Sequence, residues 1–140
     1  MKLKAENKRK ILEEFDYAAR TMREVQTLDE KLFYFSSTFG ALSRVFNSDF
    51  DSQLVFMHLV LANAHATILG RVQAMRAGDS TIVLKEDFFE KLTNTVDDLI
   101  NRIRDGQDVY DVLEKIAVLT YVTTGNGYYL LRKGTIPTIS

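Results

Sequence analysis

Residues 52–70 read Ser52-Gln-Leu-Val-Phe-Met-His-Leu-Val-Leu-Ala-Asn-Ala-His-Ala-Thr-Ile-Leu-Gly70 and contain no Asp, Glu, Lys or Arg. The spacing predicts a helix over 51–77, capped by Asp49 or Asp51 and stopped at Gly78. Leu54, Leu61, Ile68 and Met75 lie on one line of this helix. Val55, Leu59, Ala62, Ala66 and Leu69 lie on a second face, and Phe56, Val60 and Ala64 on a third. A helix that is apolar nearly all round must be covered nearly all round. In a chain of 140 residues the sibling helices cover only part of that girth, so a second copy is expected to supply the rest. Phe56, Val60, Leu61, His65 and Ile68 are the expected interface residues. The stretch is nearly long enough to span a bilayer. Gln53, His58, Asn63, His65 and Thr67 argue against a span, because each polar group would need a partner in lipid. No aromatic belt or lysine-rich flank frames it.

Two amphipathic helices are predicted on the N-terminal side. Ile11, Phe15, Ala18, Met22 and Val25 form one stripe of a helix over 3–25. Leu28, Leu32, Phe35, Phe39, Leu42 and Phe46 form the stripe of a helix over 28–46. Thr27-Leu-Asp-Glu30, at its start, matches a capping box. A second strip, Ser36, Gly40 and Ser43, is small enough for a neighbouring backbone to come close. The short link makes the pair an antiparallel hairpin. On the C-terminal side, 81–84 reads as a connector. A helix over 85–104 follows, with Phe89, Leu92, Val96, Ile100 and Ile103 as its stripe and Gly106 as its stop. A fifth helix begins near Asp108, with Val109, Val112, Ile116, Leu119 and Thr123 facing inward. Residues 118–133 read as its continuation or as a hairpin through Gly125-Asn-Gly127. A lone two-stranded hairpin is marginally stable, so the helix is preferred, with 134–140 as a free tail.

The fold class expected is therefore all-α: an antiparallel four-helix bundle of long helices with an extra short connector, in a single domain over 1–140. Composition agrees, with 46% hydrophobic and 26% charged residues and a formal net charge of -1. These values exclude a disordered tail and a basic coat for nucleic acid. The absence of cysteine excludes a disulfide scaffold, a thiolate metal site and a cysteine nucleophile. Lys2, Lys4, Lys8, Arg9 and Lys10 are interrupted by Glu6 and read as a solvated helix end. No apolar leader follows the N-terminus, so the cytoplasm is the expected location.

No catalytic residue and no metal ligand stands out. His58 and His65 are seven apart, about 10 Å along a helix, too far to share one ion. They read as packing or interface residues. Near Gly106 an antiparallel hairpin brings Asp97, Asp98 and Asn101 toward Asp108 and Asp111. Clustered carboxylates can hold magnesium and a nucleotide pyrophosphate. All-helical nucleotide pyrophosphohydrolases do so with Glu-x-x-Glu and Glu-x-x-Asp pairs; this chain offers Asp87-x-x-Glu90 and Asp108-x-x-Asp111. The candidate cofactor-binding set is Asp97, Asp108, Asp111, Tyr128 and Arg132. Against it stands an ordinary solvated face, with (i, i+4) pairs such as Asp87 with Lys91 and Asp98 with Arg102.

The order of elements is a long helical hairpin, a buried helix, a short connector and a second hairpin. It resembles a small family of archaeal helical-bundle proteins, similar in fold to the ferritin-like ATP:cobalamin adenosyltransferases, which are trimers. Those enzymes carry a glycine-rich N-terminal nucleotide loop and an Arg-x-Glu-Arg helix end. Here the N-terminus is Met1-Lys-Leu-Lys4 and the nearest arginine pair is Arg71 and Arg76. The resemblance thus implies the bundle, without carrying the nucleotide chemistry over residue by residue. The expected function is an oligomeric interaction or structural module. The alternative is a nucleotide- or cobalamin-binding enzyme, or a magnesium-dependent pyrophosphohydrolase.

Overall fold

A computed structural model describes residues 1–82 and 84–122. Among these the chain is all-helical: α1 (Ala5–Glu24), α2 (Leu28–Val45), α3 (Ser52–Arg76), α4 (Phe88–Arg104) and α5 (Tyr110–Val122). Residues 118–122 belong to α5; the choice between helix and hairpin for 123–133 lies outside the described residues, as do Thr123 and the 134–140 tail.

Local chemistry sets the boundaries. Thr27 Oγ1 accepts from the Glu30 amide at 3.1 Å and donates to the Glu30 carboxylate at 2.8 Å. The hydroxyl therefore caps α2, while the glutamate turns to that hydroxyl and not to the cap amide. Asp51 caps α3, its Oδ1 accepting from the amides of Gln53 (2.8 Å) and Leu54 (3.3 Å). Asp49 serves a different helix, accepting from the Lys4 amide at the start of α1. Gly78 and Gly106 stop α3 and α4 at φ 98° and 70°. After α3, the Gly78 and Asp79 amides bond back to the Met75 and Ala74 carbonyls; after α4, Gly106 and Gln107 do the same to Ile103 and Arg102. Only glycine enters this left-handed turn without strain. Helix α4 starts at Phe88, later than the expected 85, because residues 85–87 form a turn closed by Phe88 N–H on the Lys85 carbonyl.

The five helices close a ring in the order α1, α2, α3, α5, α4 and back to α1. Neighbours run antiparallel except α3 and α5, and a ring of odd number must contain one parallel pair. Tyr110 at the start of α5 lies against Phe56, their ring centres 5.9 Å apart, and Tyr121 near its end lies beside Asn63 and Thr67. The expected stripes fill the ring: Ile11, Phe15 and Met22 from α1, Leu32, Phe35 and Leu42 from α2, Leu92, Val96 and Ile103 from α4, and Val112, Ile116 and Leu119 from α5. Within the Ser36, Gly40 and Ser43 strip, Gly40 receives no neighbouring backbone from the described residues. A Cβ on Gly40 would meet only the Arg44 guanidinium, at 3.6 Å, and Ser43 is exposed.

Helix α3 buries one line only: Leu54, Met57, Leu61, Ala64, Ile68 and Val72. Leu61 and Ile68, expected at an interface, are 0% exposed inside the protein's own core. That corrects their assignment: with α2 on one side and α5 on the other, the line through 54, 61 and 68 points at the ring centre.

Candidate functional site

The opposite side of α3 is the most unusual surface of the molecule. Ser52, Phe56, Leu59, Asn63, Ala66, Gly70 and Gln73 are all exposed and recur at spacings of four and three. They form a straight stripe directly opposite the core line. Its flanks, Val55, Val60, Ala62, Thr67, Leu69 and Ala74, are half-buried and uncharged. Phe56 is 44% exposed and Leu59 60%. Of the seven large hydrophobic side chains most exposed among the described residues, four lie on this side: Phe56, Leu59, Tyr110 and Tyr121. The stripe is uncharged but mixed, with Phe56, Leu59, Ala66 and Gly70 interleaved with the polar Ser52, Asn63 and Gln73. Phe56 and half-buried Val60, two of the expected interface residues, lie on this side of α3. Helix α3 is also the one helix among the described residues long and apolar enough to cross a membrane.

The histidines sit beside this stripe, in the seam with α2. His65 stacks on Phe35 at 6.5 Å and meets the edge of Phe39 at 5.5 Å. His58 lies between Phe39 (6.0 Å) and Phe46 (5.5 Å). Each imidazole is thus held by rings of α2 and is half-buried. Burial pushes the His65 imidazole below its ordinary pKa, and the Leu32 backbone pulls weakly the other way. Among the described residues no three His, Asp or Glu side chains converge as metal ligands would.

Two of the carboxylates expected to gather near Gly106, Asp97 and Asp111, are instead taken up separately by arginines. Arg102 grips Asp111 with two parallel bonds of 2.7 Å and donates to the Asp108 carbonyl at 3.0 Å. This hydrogen-bonded pair holds the Asp111 carboxyl below the usual carboxylate range and raises Arg102. Asp97 faces α1, where Arg23 donates to it and, at 3.0 Å, to the Asn94 side-chain oxygen. The structure therefore does not unite Asp97 with Asp108 and Asp111, and a metal ion at Asp111 would have to displace Arg102. Tyr128 and Arg132 lie outside the described residues.

A cleft of about 260 Å³ between α4 and α5 takes in the Asp87-x-x-Glu90 pair of the sequence and is lined by Asp87, Glu90, Lys91, Asn94, Asp98 and Lys115 among others. Its lining carries three carboxylates and two lysines, and Lys91 approaches Asp87 at 3.5 Å. With carboxylates in excess of lysines, a phosphate chain here would need an added cation to balance it. Comparison with known proteins finds no matching family, no similar curated protein and no similar solved structure.

Proposed function

We propose that this protein is a self-associating helical-bundle module whose subunits meet through the outer stripe of α3. The supporting observation is that stripe: seven uncharged positions in register, with Phe56 and Leu59 bare on it. Covering an exposed leucine or phenylalanine contributes roughly 1–2 kcal/mol per side chain. The other helices support a water-soluble assembly and not a membrane span, since α1, α2 and α4 carry ion pairs such as Arg9–Glu13, Arg44–Glu14 and Lys91–Asp87 on their surfaces. The finer architecture belongs to the same proposal: an antiparallel bundle of the ferritin or cobalamin adenosyltransferase kind, opened between α3 and α4 to admit α5. The test is charge insertion. Leu59→Asp is expected to keep the helical circular-dichroism signal and to halve the mass measured by light scattering. Phe33→Asp, on an exposed aromatic of α2, is expected to leave the mass unchanged. The reverse pattern would assign the contact to α2.

A second reading rests on the α4/α5 cleft: a nucleotide- or cobalamin-binding enzyme, with magnesium as an assisting ion. A ligand bound only to the folded chain raises its melting midpoint with concentration. A rise with ATP, deoxynucleotides or cobalamin, abolished by Lys115→Ala, would support this reading. No response to any of them would remove it.

A further inference from the structure

The outer stripe of α3 is lopsided along its length. Its N-terminal half carries Phe56 and Leu59; its C-terminal half carries Ala66 and Gly70 at equivalent positions of the repeat, with Asn63 between the halves. A Cβ on Gly70 would meet nothing within 4 Å, so the described residues leave that place open. Charge is lopsided too. Asp49 and Asp51 flank the N-terminal end, whereas at the C-terminal end Arg71 is answered by Asp79 and Arg76 by Asp29 of α2, at 2.8 Å. Two copies laid parallel would set Phe56 on Phe56, leave Gly70 facing Gly70 across a gap, and bring the two acidic ends together. Laid antiparallel, the bulky half of each fills the shallow half of the other, each acidic end meets a charge-balanced one, and the helix dipoles oppose.

We infer that, given the self-association proposed above, on which this rests, a second copy of the chain packs α3 against α3 antiparallel, about a twofold axis beside Asn63. Such a contact is isologous and closes at two subunits, unlike the head-to-tail contact that builds a trimer. Asn63 meets its own counterpart near the axis. Its Oδ1 accepts from Thr67 Oγ1 at 3.1 Å, and its amide hydrogens can donate across the interface.

The test uses cysteines, of which the chain has none. Residues 56 and 70 are about 21 Å apart along one helix, beyond a short bis-maleimide. The full chain carrying F56C and G70C together is treated with that reagent, the dimer band is digested, and the joined peptides are identified by mass. Cross-links between 56 of one copy and 70 of the other are expected, at least tenfold above 56–56 or 70–70. Predominant 56–56 and 70–70 links would overturn the antiparallel arrangement and leave self-association standing. A dimeric mass with no cross-link would overturn α3 as the contact. A monomeric mass would overturn both readings. In that case slow labelling of both cysteines assigns the face to residues 123–140 of the same chain, and flotation with phospholipid vesicles assigns it to a lipid surface.

Discussion

Asn7 and Asp49 stand 42 residues apart in sequence and are joined by a 2.6 Å hydrogen bond from the Asn7 side-chain amide to the Asp49 carboxylate. The same carboxylate accepts from the Lys4 amide at 3.0 Å, and Asn7 also donates to Ser48 Oγ. Helix α1 has no capping side chain of its own, so Asp49 supplies the missing acceptor from the α2–α3 turn. Asn7→Ala is expected to destabilise the fold, because it removes a charge-assisted bond at a part-buried site. Urea unfolding followed by circular dichroism measures it. These donors hold the Asp49 carboxyl below its ordinary value of 3.8. A depressed pKa in the folded state gives stability that is complete at neutral pH and is lost as pH falls below that ordinary value. Asn7→Ala should therefore reduce the loss of stability between pH 5 and pH 3.

Leu59 and Leu61 are two residues apart and have opposite roles. Leu61 is fully buried and Leu59 largely bare. Leu61→Ala is expected to cost about 2–5 kcal/mol, and Leu61→Asp to unfold the chain. Leu59→Asp should keep the helical signal. Equal loss of helicity in both aspartate variants would contradict the inward line through 54, 61 and 68.

Boundaries were legible in the sequence because they depend on local chemistry. Thr27, Asp51, Gly78 and Gly106 act where they stand, through amides two to four residues away. The rotation of α3 was harder to read, since hydropathy is nearly even around it. One signal existed: the line through 52, 59, 66 and 73 collects Ser52, Ala66 and Gln73, while 54, 61 and 68 are all large and aliphatic. A seam buried on both sides of α3 would have reversed nothing in that pattern, so only the positions of α2 and α5 decide it. The carboxylate set failed for a different reason. Arg23 reaches Asp97 from 74 residues away, and no spacing rule along α4 reveals that partner.

Arg102 occupies the place that a cation would take at Asp111. Magnesium at millimolar concentration is expected to leave the melting midpoint unchanged in the wild type. In Arg102→Ala, Asp108 and Asp111 lose their counter-charge, and a magnesium-dependent rise becomes detectable. A rise in the wild type that Asp111→Asn abolishes would restore the carboxylates as a metal site.

His65 couples the α2–α3 seam to pH. Its folded-state pKa lies below the ordinary 6.5, so the unfolded chain binds the proton more readily. Stability from this residue is complete above about pH 6.5 and falls as pH drops below it. Thermal unfolding across pH 5 to 7 should show a midpoint that rises with pH, and His65→Gln should flatten that slope. A slope unchanged by the substitution would place its origin elsewhere.

Native mass spectrometry of the wild-type chain bears most directly on the outer stripe of α3. Twice the 16.0 kDa of one chain is expected at micromolar concentration, reverting to a single chain in Leu59→Asp. A wild-type mass of one chain at every concentration would contradict self-association through α3.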